Sequence, residues 1–158
     1  MLSDDESEVV EVVRGWVDRE VRPVVRELEH GNTYPEKLIE GMKQLGIFGL
    51  AIPEPWGEAP VSTPCYALVT AELARGWMSL AGAMGGHTVV AKLILTFGTD
   101  EQKELWLPRM ATGEVRATMA LTEPGGGSDL QAMRTSATRE GDVYVVNGSK
   151  TWITNARH

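Results

Sequence analysis

Apolar side chains recur at three- and four-residue steps through Val9, Val13, Trp16, Val17, Val24, Val25 and Leu28, the period of a helix that buries one stripe. Ser3 and Glu6 stand ahead of that run at capping-box spacing and predict its start. Pro23 interrupts it. Proline has no N–H and its ring clashes with the preceding turn, so a kink or a short second piece is expected. After Gly31-Asn32, Pro35 is predicted in the first turn of the next helix, with Leu38, Ile39, Met42 and Leu45 as its stripe and Gly46 as its stop. Residues 47–52 are short and apolar and read as a buried extended segment. Pro53, Pro55, Gly57 and Pro60 then make a loop.

Two helices follow. Ser62 or Thr63 caps the first, with Pro64 just inside, and it runs to about Arg75 with Tyr66, Val69, Leu73 and Ala74 facing inward. The second spans about Ser79 to Phe97. Its first half is crowded with Ala81, Gly82, Ala83, Gly85 and Gly86, and glycine costs a helix roughly 1 kcal/mol against alanine. That expense predicts close approach of another backbone or a ligand. Val89, Val90, Leu93, Ile94 and Phe97 read as a core stripe in the second half. Gly98 ends it, and Thr99 to Gln102 repeats the capping box before a short helix lined by Leu105, Trp106 and Met110 and closed by Gly113.

From residue 115 the period changes. Arg116–Thr122, Thr135–Arg139, Val143–Val146 and Lys150–Ile153 read as strands. Glu140-Gly141-Asp142 and Asn147-Gly148 lie between them, and Asn-Gly is the strongest short hairpin signal. The class is therefore α+β: an all-helical N-terminal bundle of about five to six helices, then antiparallel strands. A sheet of four strands is marginal by itself, and the sequence reaches His158 with no closing element. A piece of a longer chain is expected.

Net charge changes the list of partners. Fifteen Lys and Arg against 22 Asp and Glu give −7, which argues against nucleic acid or an anionic membrane. Cys65 is the only cysteine, so neither a disulfide framework nor a cysteine metal cluster is available. His30, His87 and His158 stand in no zinc-enzyme spacing. The acidic start has no apolar core of a signal peptide, and no run of 18 apolar residues occurs, so a cytoplasmic protein is expected.

Two stretches could carry chemistry. Gly125-Gly126-Gly127 followed by Ser128 would leave backbone N–H groups and a hydroxyl free for an anion, or it is a flexible surface turn. It matches neither a dinucleotide fingerprint nor a nucleophile elbow. Trp152-Ile153-Thr154 could pack on a flat ring and hydrogen-bond its edge, or it is a core tryptophan beside a sheet-edge threonine. His87 reads as an interior or interface histidine, and Cys65 as a plain buried thiol.

Met119-Ala-Leu-Thr-Glu-Pro-Gly-Gly-Gly-Ser-Asp129 resembles the flavin-binding signature of the acyl-CoA dehydrogenases. Asn147-Gly-Ser-Lys-Thr-Trp-Ile-Thr-Asn155 is similar to its second half. Leu45 to Gly57 resembles the family's turn after its second helix, and Gly98 to Glu114 its last N-terminal helix. The resemblance covers essentially the whole chain. It implies a helical N-terminal domain over 1–115 and, over 116–158, the start of the flavin-binding, β-barrel-like middle domain, with the C-terminal helical domain missing. It implies oxidation of an acyl-CoA to the trans-2-enoyl-CoA, with FAD as cofactor, an electron-transferring flavoprotein as acceptor and a homotetramer when full length.

By the same resemblance Met119, Ala120, Leu121 and Thr122 would line FAD, with Leu121 and Thr122 near its isoalloxazine ring. Gly127 and Ser128 would meet the pyrophosphate, and Ser128 also the acyl-CoA. Trp152 would shield one flavin face, Ile153 would add backbone contact, and Thr154 would hydrogen-bond near N5. Met119 stands where many members carry an aromatic residue, and the glycine triplet replaces a more usual Gly-Ala-Gly. The family's catalytic glutamate belongs to its C-terminal domain, as do helices that complete the flavin site, so no residue here is assigned as catalytic and the isolated chain is expected neither to hold FAD tightly nor to turn over acyl-CoA. The alternatives are a non-catalytic subunit or fold relative completed by a partner chain, and an acyl-CoA oxidase.

Overall fold

The computed structural model describes residues 2–156. His158, on which the reading of an unfinished sheet rests, lies outside them. The chain divides into two compact units between Ala117 and Thr118.

The first unit is helical: α1 (Asp4–Trp16), α2 (Val25–His30), α3 (Glu36–Gln44), α4 (Thr63–Gly76), α5 (Met78–Phe97) and α6 (Asp100–Ala111). Both capping boxes form. Glu6 N–H donates to Ser3 Oγ at 3.1 Å and Ser3 N–H to Glu6 Oε2 at 3.2 Å, while Glu6 Oε1 accepts the N–H of Ser62, the α4 cap, at 2.8 Å. One carboxylate therefore ties together the starts of two helices. The break predicted at Pro23 begins earlier. A π turn occupies Val17–Val21, and Arg22 N–H reaches back to Val17 O at 3.0 Å before the chain turns into α2. Gly76 allows that turn to press on the end of α4: a Cβ there would lie 2.5 Å from Val17 Cγ1. Arg75 reaches Asp18 at 2.8 Å and Arg14 reaches Glu72 at 2.9 Å across the same seam.

Four expectations for the helical unit need correction. Pro35 sits one position before α3 rather than in its first turn. Residues 47–52 are buried but not extended. Left-handed Gly46 (φ 68°) turns the chain into a 3₁₀ turn, Ile47–Gly49, whose Ile47 and Phe48 fill the core. A short apolar run specifies burial and not backbone conformation. The stripe of α5 assigned to the core is split: Val90 and Ile94 pack half-buried against a small core cluster, while Val89, Leu93 and Phe97 are exposed, Phe97 to 79%. Nor does another backbone from the described residues approach Gly82 or Gly85, where a Cβ would meet nothing within 4 Å.

The main core gathers Val13, Trp16, Met42, Phe48, Val69, Leu73 and Met84 from α1, α3, the 3₁₀ turn, α4 and α5. A smaller cluster holds Ile52, Ala91, Leu107 and Met110. Among the described residues α5 alone is long and apolar enough to cross a membrane, but it also carries buried His87 and the core residues Leu80, Ala81, Ala83, Met84 and Ala91.

In the second unit, β1 (Ser136–Glu140) and β2 (Val143–Asn147) pair antiparallel with Glu140 opposite Val143, so the hairpin turn is Gly141-Asp142. Asn147-Gly148 instead ends β2. Arg116–Thr122 and Lys150–Ile153 form no strand. A strand exists only where a neighbour takes its N–H and C=O groups, and between these two segments a single backbone bond forms, Thr151 N–H to Thr122 O at 3.0 Å.

Candidate functional site

Every residue singled out for chemistry lies in the second unit. Met119–Thr122 has no regular secondary structure, with Met119, Leu121 and Thr122 half-buried and Ala120 exposed. It runs into a tight turn in which Glu123 N–H donates to Gly126 O at 3.0 Å and Gly126 N–H returns to Glu123 O at 3.1 Å. One of the three glycine amides is thereby used. Gly127 and Ser128 N–H find no partner among the described residues, and both are exposed. Gly127 closes over Thr122: a Cβ on it would stand 3.3 Å from Thr122 Cγ2. Asp129 Oδ1 accepts Gln131 N–H at 3.1 Å and turns the chain away from the loop.

Trp152 is neither a core residue nor a strand residue. Its φ is 59°, in the left-handed region where bulky side chains are rare, and its ring is 88% exposed. Ile153 is half-buried and Thr154 exposed, in a turn closed by Ala156 N–H to Ile153 O at 3.3 Å.

Glu123 and Lys150 bring these strips together. Glu123 is 9% exposed, and its carboxylate accepts Arg134 N–H at 2.8 Å, Thr135 N–H at 2.9 Å and the Lys150 ammonium at 2.9 Å. Lys150 Nζ also donates to Leu121 O at 3.1 Å. The Thr135 side chain beside it, then the Arg134 N–H, the Lys150 ammonium and the Thr135 N–H, hold the Glu123 carboxyl well below the usual carboxylate range. The glycine turn, the segment before β1 and the segment before Trp152 are thus fastened to one anion. Sequence reasoning missed this pair. Both residues stand inside the quoted motifs, but hydropathy gives no means of pairing a glutamate with a lysine 27 positions on.

A cleft of about 350 Å³ opens beside the turn, lined by Glu123, Gly126, Asp129, Arg134, Thr135 and Gly148. None of the residues assigned by resemblance lines it. His87 and Cys65 belong to the helical unit and are fully buried. The described residues include no grouping of His, Cys, Asp and Glu able to hold a metal ion.

Residues 3–114 match the acyl-CoA dehydrogenase N-terminal domain, and residues 118–158 match its middle domain. The chain belongs to the acyl-CoA dehydrogenase family. It is 40% identical to the (2S)-methylsuccinyl-CoA dehydrogenase of Cereibacter sphaeroides over 97% of its own length and 28% of that relative's. Its fold is similar to a chain in a structure of the electron transferring flavoprotein of Acidaminococcus fermentans, with TM-score 0.91, 30% identity, and coverage of 99% of this chain and 42% of that one. It also matches an acyl-CoA dehydrogenase from Bacillus anthracis complexed with FAD, with TM-score 0.84, 34% identity, and coverage of 97% of this chain and 27% of that one. The chain spans less than half the length of each of these relatives and neighbours.

Proposed function

We propose that these residues are the N-terminal helical part and the first flavin-lining segments of an FAD-dependent acyl-CoA dehydrogenase. Such an enzyme takes hydrogen from the α and β carbons of an acyl-CoA thioester, gives the trans-2-enoyl-CoA and passes electrons to an electron-transferring flavoprotein. Lys150 and Thr151 carry the proposal, because their bonds to Leu121, Thr122 and Glu123 place the start of the Trp152 segment against the Met119–Thr122 strip.

The residues present fit FAD. Unpartnered N–H groups at Gly127 and Ser128, with the Ser128 hydroxyl, suit a pyrophosphate. An exposed indole at Trp152 suits a flat aromatic ring. When bound, FAD supplies the acceptor for the hydride leaving the β-carbon. The chain's own groups bind and orient. Met119 and Ala120 would line the strip, and Leu121 and Thr122 would flank the ring. Gly127 and Ser128 would hold the phosphates, and Ser128 would also meet the acyl-CoA. Trp152 would exclude water from one face, Ile153 would add backbone contact, and the Thr154 hydroxyl would hydrogen-bond near N5.

Glu123 is a poor candidate for the base that takes the α-proton. A general base works best with a pKa near the working pH, and the Glu123 carboxylate is saturated with donors and held low. The base is therefore proposed to come from a segment these residues do not include, and the isolated chain to lack turnover. The electron-transferring flavoprotein and a homotetramer belong to the same proposal, and likeness to the A. fermentans chain supports the first.

Tryptophan fluorescence titrated with FAD tests the reading. Quenching is expected, and W152F is expected to lose most of it. An unchanged response in W152F would remove Trp152 from the flavin face. Dye-linked turnover by the 158-residue chain would place the base among its own residues.

A further inference from the structure

His87 is fully buried on α5 of the helical unit, and one of its ring nitrogens is bonded while Nε2 has no partner among the described residues. Nδ1 accepts the N–H of Ala117 at 3.3 Å. Phe48 packs edge-on against the imidazole, with ring centroids 5.2 Å apart at 73°. Ala117 is the last residue of the helical unit, two positions before Met119. The preceding residue is held from another direction: Arg116 Nη2 stands 3.5 Å from the Tyr34 hydroxyl.

A neutral imidazole has one acceptor and one donor nitrogen. Acceptance at Nδ1 fixes the tautomer with the proton on Nε2. A protonated ring donates from both nitrogens, and Nδ1–H would then face the Ala117 N–H with no acceptor between them. The anchor thus exists only in the neutral state.

We infer that His87 is a positioning residue: its neutral ring clamps the Ala117 amide, fixes where the chain leaves the helical unit, and releases that amide when protonated. Burial favours the neutral ring and outweighs the Met110 and Phe48 carbonyls, which favour the charged one; Arg116 is the charged group bearing on it and also opposes protonation. The consequence for Met119–Thr122 as a flavin strip rests on the reading above. The clamp itself does not.

Amide exchange and ¹⁵N-histidine spectra of the whole 158-residue chain test it. At neutral pH the Nε2–H tautomer is expected at His87, with the Ala117 amide protected at least about tenfold over a solvent-exposed amide. As His87 titrates, that protection should disappear while the Val69 and Leu73 amides of α4 stay protected. H87N, whose side-chain oxygen can accept the same bond, should keep the protection and lose its pH dependence. H87L should lose it at every pH. An unprotected Ala117 amide in the native chain, or protection indifferent to the His87 titration, would overturn the inference, and both are read on the unmutated protein even if H87L fails to fold. Loss of flavin binding with the clamp intact would instead count against the flavin reading.

Discussion

The Lys150 ammonium stands 2.9 Å from the Glu123 carboxylate, and the same nitrogen lies 3.1 Å from the Leu121 carbonyl. Two ends of a signature, far apart in sequence, are joined by one cation. The carboxylate in turn takes two backbone N–H groups from the segment that leads into β1. If this pair shapes the flavin strip, E123Q and K150Q should each weaken FAD binding by roughly tenfold, about the worth of one charge-assisted hydrogen bond. The double variant should be little worse than either single one. Calorimetric titration of the three variants checks it.

Acid should act on the two units in separate pH windows. His87 is depressed from 6.5 to about 4 by burial. Between those values the unfolded chain binds a proton that the folded chain refuses. The stability of the helical unit is therefore full above about pH 6.5 and falls toward pH 4, by about 3 kcal/mol at most. Glu123 is also depressed, chiefly by Thr135, so its contribution is full above its ordinary value of 4.5 and is lost only as pH falls further. Urea unfolding followed residue by residue in spectra from pH 8 to pH 3 should show the helical unit weakening first. H87N should abolish the first slope and E123Q the second.

G76A tests the seam between α4 and the π turn. A methyl there would strike Val17 at 2.5 Å, and the overpacking should cost about 1–3 kcal/mol despite the better helix propensity of alanine. Unfolding midpoints in urea measure it.

F97S tests the correction to α5. Phe97 is exposed, so its loss should leave the stability of this chain within about 0.5 kcal/mol. L107A, in the small core cluster where the side chain is fully buried, should cost about 2–5 kcal/mol in the same assay.

Much of the helical unit was legible because its signals are local. Ser3 with Glu6 and Thr99 with Gln102 act within one turn, and Gly46, Gly98 and Gly113 end or follow helices as expected. Features that depend on distant partners were less so. Whether Leu93 and Phe97 meet a core cannot be read from their spacing on α5, and the π turn depends on how Gly76 lets Val17 approach. The β segments show the same division. Gly141-Asp142 makes the hairpin that the more suggestive Asn147-Gly148 does not, because strand pairing selects the turn. The strips proposed to line flavin were singled out through motif resemblance. The pair that fastens them, Glu123 with Lys150, was not, since nothing local links the two.

The most direct test of the central claim is an amide-shift titration of the ¹⁵N-labelled 158-residue chain with FAD. The account predicts shifts concentrated at residues 119–122, 127–128 and 152–154, with the amides of α1 and α4 unmoved. Saturating FAD that shifts none of these, or shifts only amides of the helical unit, would contradict it.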